Sequence, residues 1–384
     1  MSTYLLTNML IRDRLVLSSI TDARKGVFLR RGTLTNRMRT IIWNDPSQQL
    51  EMIDQRVIPS ELRYSVFRDH REVCTAIKEM AVRGAPAIGV AGAFGNVLAA
   101  LNSPAITLDF LRNDLRIAAA ELIASRPTAV NLSLLVNRML DFSFVFLGNV
   151  DELKLALLEK AKSIADEDIQ INLAMAKFGA ELIQDGDQII HHCNTGALAS
   201  VDYGTALGVI RMAHEQGKRI HVFVDETRPR LQGARLTAWE LEQYGISYNI
   251  IVDGASGYFL RSGQVNKVLF GGDRMAANGD VANKIGTYNL ALAAYDNSVP
   301  VYCVVPTSTI DYSIDSGNEI VIEERDEAEV LGILYQNQQV VPSSASARNP
   351  AFDVTPHRLL SAIVTEKGVI YPPYFRNLAE LKKP

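Results

Sequence analysis

The sequence predicts an α/β protein, in which a mainly helical first part is followed by a parallel β-sheet with helices on both faces. Before Gly186, apolar residues recur at steps of three and four, which is the spacing of amphipathic helices. After Gly186, short β-branched runs alternate with helical stretches, which is the pattern of strand–helix–strand units. The length of 384 residues is enough for two or three domains.

The composition is typical of a folded, soluble protein. Apolar residues make up 47% of the chain and charged residues 21%, unlike the composition of disordered chains. The net charge of −4 excludes a broadly basic protein that binds nucleic acid through its overall charge. We find no apolar run of the ~18 residues that a membrane span needs, and only a poor secretory signal at the N-terminus. We therefore expect a cytoplasmic protein with neither a nucleic-acid nor a membrane partner.

In the first part of the chain, four helical segments follow residues 1–37, in which we see no chemistry. The segment RDHREVCTAIKEMAV places Val73, Ile77, Met80 and Ala81 on one helix face. We place a domain boundary within the last and longest segment. The four predicted helical segments cover residues 68–82, 108–125, 130–147 and 151–186.

In the second part, apolar runs predict buried parallel strands. The helical stretches between them end near Gly217 and Gly245, where glycine is the preferred C-terminal residue. Connections of this length join parallel strands through helices. The predicted strands cover residues 188–193, 219–226, 246–254, 267–273 and 300–306.

Reactive side chains follow four of these strands. Ligands of open α/β sheets bind beyond the carboxyl ends of the strands, so we expect these side chains to share one edge of the sheet. The residues concerned are Cys193, Asp225, Glu226, Asp253 and Asp273.

Two of these side chains are candidates for acid–base chemistry. Backbone N–H groups or nearby cations at a strand end would lower the pKa of the Cys193 thiol, although a buried cysteine also acts as a small apolar residue. Asp273 follows Gly271 and Gly272, which let a ligand approach the backbone, and a shielded carboxyl group there can act as acid or base. The alternative for Asp273 is a capping role in the next turn.

The other cysteines and two histidines do not indicate a metal site. Three cysteines are too few and too scattered for a disulfide framework or a zinc site, and we expect Cys74 and Cys303 to be packed in the interior. His191 and His192 are adjacent on a strand, so they point to opposite faces and cannot both bind one ion. We expect at least one of them to be a packing residue.

The segment VRGAPAIGVAGAFG is the best candidate for a phosphate site. Arg83 supplies a forked cation, Gly84 and Ala85 leave backbone N–H groups unobstructed, and Pro86 suits the first turn of a helix. We expect the following glycines, at 89, 92 and 95, to allow close helix packing. Further polar groups at predicted helix starts are Arg126, Gln232, Asn283 and Lys284.

The glycine-rich motifs of common nucleotide-binding proteins are not found. No Gly-x-Gly-x-x-Gly follows a predicted strand, and no Gly-x-x-x-x-Gly-Lys-Ser/Thr occurs. Gly279 and Lys284 come nearest to the second motif, but the glycine before the lysine is missing. A dinucleotide-dependent dehydrogenase or a P-loop nucleotidase is therefore disfavoured, and we expect no cofactor.

Several segments together resemble the methylthioribose-1-phosphate isomerase family. That family belongs to a wider group with ribose-1,5-bisphosphate isomerase and the regulatory subunits of a translation-initiation exchange factor. The resemblance runs in order from Met38 to Pro372, and residues 1–37 precede the usual start of the family. The segments include MAVRGAPAIG, SRPTAVNL, HHCNTGALAS, VDETRPRLQGARLTAWEL and GGDRMAANGDVANKIGTYNLA.

The resemblance implies a fold, a reaction and a set of site residues. It implies a smaller helical domain over residues 38–165, a Rossmann-like domain over 166–384, and a homodimer. It implies conversion of 5-methylthioribose 1-phosphate to 5-methylthioribulose 1-phosphate in methionine salvage, with Cys193 and Asp273 as the catalytic pair. The implied substrate-binding residues are Arg83, Gly84, Ala85, Arg126, Gln232, Asn283 and Lys284.

Alternatives remain open from the sequence. A related aldose 1-phosphate, such as 5-deoxyribose 1-phosphate or ribose 1,5-bisphosphate, would use the same chemistry. A non-catalytic regulatory subunit would bind a sugar phosphate or nucleotide without turnover. The sequence also does not decide whether a proton or a hydride moves between C2 and C1 of the sugar.

Overall fold

A computed structural model describes residues 38–382 of the chain, and these residues form a mixed α/β fold as predicted. Each predicted helical segment of the first part contains a helix. The first one begins with a capping box, in which Asp69 accepts from the helix backbone and Glu72 bonds back to the cap. The α-helices are α1 (His70–Lys78), α2 (Ala85–Asn102), α3 (Leu108–Ala124), α4 (Val130–Val145), α5 (Val150–Ala180), α6 (Ala206–Glu215), α7 (Ala238–Tyr244), α8 (Ser256–Arg261), α9 (Thr287–Asp296), α10 (Ala328–Leu331) and α11 (Tyr374–Glu380).

The five predicted strands are all present, and further short strands accompany them. The predicted ones lie at Gln188–His191, His221–Asp225, Ser247–Ile251, Lys267–Phe270 and Val301–Val304. The strands are β1 (Ile41–Asn44), β2 (Gln49–Ile53), β3 (Tyr64–Phe67), β4 (Gln188–His191), β5 (His221–Asp225), β6 (Ser247–Ile251), β7 (Lys267–Phe270), β8 (Arg274–Ala276), β9 (Val281–Lys284), β10 (Val301–Val304), β11 (Ile310–Asp311), β12 (Leu334–Tyr335), β13 (Gln338–Gln339), β14 (Phe352–Thr355), β15 (Ala362–Thr365) and β16 (Gly368–Ile370).

Helix α2 is the apolar centre of the helical part. It is long and apolar enough to cross a membrane, so the expectation that no apolar run reaches that length was wrong. The reason for its composition is burial, since 78% of its apolar window is buried inside the protein. The predicted close packing of its glycines is confirmed, because a Cβ at Gly92 would lie 2.6 Å from Leu132 of α4.

The main sheet has the strand order β16-β15-β10-β7-β4-β5-β6, and its central strands are parallel. From β4 the chain moves through β5 to β6 on one side, and then returns to β7 on the other side of β4. This reversal is a topological switch point, where the carboxyl ends of neighbouring strands leave a crevice for ligands. The loops after β4 and β7 therefore lie side by side, although 80 positions separate Cys193 from Asp273 in the sequence.

A smaller sheet with the order β11-β8-β9-β14 lies directly after β7 in the chain and was not predicted. Its strands are two to four residues long, which is too short for a visible alternation of apolar and polar residues. The sheet matters because β9 ends in Asn283 and Lys284, and Asp273 donates its backbone N–H to Ala282 of the same strand.

Helix α5 contributes to two apolar cores. Its residues up to Ile169 pack with α2, α3 and α4, whereas Met175 and Ala180 pack with the main sheet and α6. The proposed division into residues 38–165 and 166–384 stays a prediction. Residues 1–37 lie outside the described residues.

Candidate active site

One cavity at the switch point is lined by all nine site residues named from the sequence: Arg83, Gly84, Ala85, Arg126, Cys193, Gln232, Asp273, Asn283 and Lys284. They come from the loop before α2, the loop before α4, the loops after β4 and β7, the turn before α7, and the end of β9. The fold thus brings together residues that are separated by up to 201 positions in the sequence.

Cys193 lies two residues beyond the end of β4, on a turn rather than at the strand end itself. Its φ of 65° is in the left-handed region, which is unusual for a residue with a Cβ. Two threonines hold this backbone: Thr227 Oγ1 accepts from Cys193 N at 2.9 Å, and Thr237 Oγ1 donates to Cys193 O at 2.6 Å. The turn directs the thiol into the cavity instead of continuing the strand.

The expectation of a lowered thiol pKa was wrong. Burial raises the pKa of Cys193 above its ordinary value of 9.0, and this effect outweighs the opposite effect of Arg83 and Lys284. The thiol therefore keeps its proton at neutral pH. The interior role expected for Cys303 is confirmed, since it is fully buried in β10.

Asp273 follows the Gly271-Gly272 pair at the end of β7. Side chains crowd both glycines, and a Cβ at Gly272 would lie 2.7 Å from Val281. Within the part of the chain that the structure describes, the Asp273 carboxylate caps no turn and faces the cavity. Burial raises its pKa, while Lys284, Arg126 and Arg83 act in the opposite direction. A carboxyl group in this state can exchange a proton near neutrality.

The start of α2 forms one wall of the cavity. Gly84 has a φ of 98°, and a Cβ there would lie 2.4 Å from the carbonyl oxygen of Ala199, so only glycine fits. This conformation lets α2 begin at Ala85, with its free N–H groups at the cavity. The two terminal nitrogens of the Arg83 guanidinium donate to Asn194, one to its side-chain oxygen and one to its backbone oxygen.

Lys284, at the end of β9, and Gln232, in the turn before α7, also line the cavity. Burial lowers the pKa of Lys284 to about 8; the ammonium donates to Ala351 O at 2.8 Å and lies over the Phe352 ring. The side-chain oxygen of Gln232 is buried and has no partner among the described residues. Asn283 donates to Thr287 Oγ1 at 2.9 Å, which fixes its amide at the start of α9.

Gln55 and Arg325 are two of the cavity residues that were not predicted from the sequence. The amide nitrogen of Gln55, which follows β2, donates to Leu198 O at 2.7 Å. The amide oxygen of Gln55 is buried and has no partner among the described residues. Arg325 lines the cavity from the segment before α10 and pairs with Glu323. Neither residue belongs to a segment that was predicted from the sequence to carry chemistry.

The other acidic residues expected at the same edge do not line the cavity. Asp225 accepts from His192 Nδ1 at 2.8 Å and from Ser256, and Asp253 accepts from two backbone N–H groups. The second ring nitrogen of His192 bonds to Ile285 O. Glu226 is likewise outside the cavity. Through these hydrogen bonds, Asp225, Asp253 and His192 hold the loops next to the cavity without lining it.

His191 is the predicted packing histidine. It is fully buried, and burial lowers its pKa to about 3, so its ring is neutral.

Comparisons with known proteins show which family the chain belongs to. Residues 81–372 match the profile of the initiation factor 2 subunit family. A methylthioribose-1-phosphate isomerase of Pseudothermotoga lettingae is 53% identical over 345 residues, which cover 89% of this chain and 98% of the relative. The chain belongs to the methylthioribose-1-phosphate isomerases of the initiation factor 2 subunit family. The resemblance seen in the sequence is thereby confirmed.

Solved structures of this family have the same fold. The crystal structure of 5-methylthioribose 1-phosphate isomerase from Pyrococcus horikoshii superposes with a TM-score of 0.84 at 42% identity, covering 91% of this chain and 96% of that chain. A structure described as translation initiation factor eIF-2B, subunit delta, from A. fulgidus gives a TM-score of 0.80, also at 42% identity, covering 90% and 99%.

Proposed function

We propose that this methylthioribose-1-phosphate isomerase converts the aldose 5-methylthioribose 1-phosphate to the ketose 5-methylthioribulose 1-phosphate, in methionine salvage. The observation that carries the proposal is the meeting of Cys193 and Asp273 in one cavity that also holds Arg83 and Lys284. The two groups lie close enough that the Asp273 charge raises the pKa of the thiol.

The cavity is suited to one phosphate group. Arg83 and Lys284 make no ion pair with a carboxylate in the described residues, and the start of α2 adds free N–H groups. The remaining cavity arginines are neutralised or occupied: Arg56 by Asp54 and Glu79, Arg126 and Arg325 by Glu323, Arg230 by Glu329, Arg274 by Asp311, and Arg235 by backbone carbonyls. This pairing disfavours a second phosphate, and hence ribose 1,5-bisphosphate.

The two unpartnered glutamine oxygens would bind the sugar. A buried acceptor without a partner lowers stability, and a ligand hydroxyl removes that cost. The side-chain oxygens of Gln55 and Gln232 can each accept one hydroxyl hydrogen. A phosphorylated sugar has the donors that these oxygens lack.

The chemistry requires one acid and one base. The C1–O bond of the sugar ring breaks as the ring oxygen gains a proton, and the hydroxyl on C2 must lose a proton to become the ketone. Cys193 carries its proton in the resting site and is placed to give it to the ring oxygen. Asp273 then accepts the hydroxyl proton, and product release restores both groups through solvent.

This assignment favours a hydride shift from C2 to C1, because a protonated thiol does not abstract hydrogen from carbon. Substrate with deuterium at C2 is therefore expected to give a product with deuterium at C1, as measured by NMR in ordinary water. Washout of the deuterium would instead assign Cys193 as a thiolate base working through an enediol.

The substrate is tested with a panel of aldose 1-phosphates that differ only at C5. We expect the highest kcat/KM for the methylthio compound, and much lower values for 5-deoxyribose 1-phosphate and ribose 1,5-bisphosphate. Binding without turnover of any panel member would support a regulatory subunit instead. The predicted homodimer and cytoplasmic location remain part of this proposal.

A further inference from the structure

We propose that Glu240 is a positioning residue, which acts through Asn194 to fix the guanidinium of Arg83 beside the phosphate and the thiol. The inference rests on the proposed function, since that function assigns Arg83 to the phosphate. Glu240 lies on α7, outside the cavity.

Glu240 is a fully buried acid surrounded by donors. Its Oε1 accepts from Asn194 Nδ2 at 2.8 Å and from Leu198 N at 3.4 Å. Its Oε2 accepts from Ala197 N at 2.7 Å and from the Tyr244 hydroxyl at 3.1 Å. Four donors around one carboxyl group match the ionised form, although burial raises its pKa.

Asn194 transmits this contact to the cavity. Its amide nitrogen points at Glu240, so its amide oxygen points the other way and accepts from Arg83, whose second guanidinium nitrogen bonds to Asn194 O at 2.9 Å. Without Glu240, the amide nitrogen of Asn194 keeps only the longer contact of 3.2 Å to Thr237 Oγ1, so the amide is less firmly oriented toward the arginine. A turned amide would present its NH₂ group to the guanidinium, and two donors repel each other.

The same contact also reaches Cys193. Asn194 Nδ2 lies 3.2 Å from Thr237 Oγ1, which donates to the backbone oxygen of Cys193. The Glu240 carboxylate is packed against the backbone of Gly196, where a Cβ would lie 2.3 Å from Glu240 Oε2. Glu240 is therefore placed to control both the arginine and the turn that carries the thiol.

The minimal perturbation is Glu240→Gln, which keeps the size of the side chain. In either orientation of the new amide, its NH₂ group faces a donor, either Ala197 N or the Asn194 and Leu198 groups. Tyr244→Phe is the matched control, because it removes one donor to Glu240 from the oxygen that does not contact Asn194.

The experiment measures two properties of wild type, Glu240→Gln, Arg83→Ala, the double variant and Tyr244→Phe. The first is the pH profile of alkylation of Cys193 by iodoacetamide, followed by mass spectrometry of its peptide, which needs no substrate. The second is kcat/KM for 5-methylthioribose 1-phosphate. Circular dichroism checks that each variant is folded.

We expect Glu240→Gln to raise the alkylation midpoint by at least about half a pH unit, because the Arg83 charge that lowers the thiol pKa is no longer held in place. We expect kcat/KM to fall at least about tenfold in the wild-type background, but less than about threefold when Arg83 is already alanine. Tyr244→Phe should stay within about twofold of wild type in both measurements.

Equal losses from Glu240→Gln with and without Arg83, or an unchanged alkylation midpoint, would overturn the proposal. If Glu240→Gln does not fold, the same two measurements on Asn194→Ala, which removes the link itself, decide the matter with the same expected results. If wild type fails to turn over the sugar phosphate, the proposed function fails, while the alkylation profiles still test the link.

Discussion

Lys284 provides a sharp prediction about pH. Its ammonium is buried, which lowers its pKa to about 8, well below the ordinary value of 10.5. A base with a lowered pKa loses its charge at a lower pH, so the cavity loses one of the two cations assigned to the phosphate as the pH rises through 8. The charged fraction falls from about 90% at pH 7 to about 10% at pH 9.

We therefore expect kcat/KM for the sugar phosphate to fall about tenfold from pH 7 to pH 9, since this parameter reports ionisations of the free enzyme. The phosphate ester, with a second pKa of about 6, stays a dianion over this range. The Cys193 thiol titrates at higher pH, because its pKa is raised above 9.0. The assay is initial rates at low substrate concentration from pH 6 to pH 10.

Lys284→Arg is the control, because a guanidinium stays charged over the whole range. The decline near pH 8 should disappear in this variant, whatever its plateau activity. A flat profile for wild type between pH 7 and pH 9, or a decline that persists in Lys284→Arg, would refute the assignment of Lys284 to phosphate binding.

Three further variants test the cavity. Arg83→Ala should raise KM for the sugar phosphate by roughly 10- to 100-fold, the loss of a charge-assisted contact, and an unchanged KM would speak against phosphate binding there. Gly84→Ala should lower the melting temperature more than Gly217→Ala, because both have a positive φ but only Gly84 meets a backbone atom, the oxygen of Ala199; equal shifts would contradict this. Gln55→Leu should lower kcat/KM about tenfold or more if its oxygen accepts a sugar hydroxyl, and wild-type kinetics would exclude that contact.

Much of the fold follows from the sequence because its long elements have clear periodicity. The helices of the first part show the helical spacing, and the five predicted strands of the main sheet lie within apolar runs. The small sheet that carries Lys284 has no such run, because its strands of two to four residues include Arg274, Asn283, Lys284 and Asp353. The apolar length of helix α2 was not recognised, since its two asparagines, Asn96 and Asn102, interrupt an otherwise apolar segment without making it polar.

The candidate site likewise contains residues that could be predicted from the sequence and residues that could not. Cys193 and Asp273 could be placed together because both follow strands that a parallel sheet aligns. The sign of the thiol pKa shift could not be predicted, since it depends on how fully the cavity walls exclude water. Gln55 and Glu240 could not be found either, because their importance lies in an unpaired oxygen and in a chain of hydrogen bonds that only the folded structure reveals.

The acid and base of the isomerisation are tested most directly by following single turnovers of 5-methylthioribose 1-phosphate by ³¹P NMR, with wild type, Cys193→Ser and Asp273→Asn. Wild type should convert the sugar phosphate to the ketose phosphate, and each variant should be slower by at least ~100-fold while keeping its fold by circular dichroism. Near-normal turnover in either folded variant would contradict the assignment of that residue to the reaction.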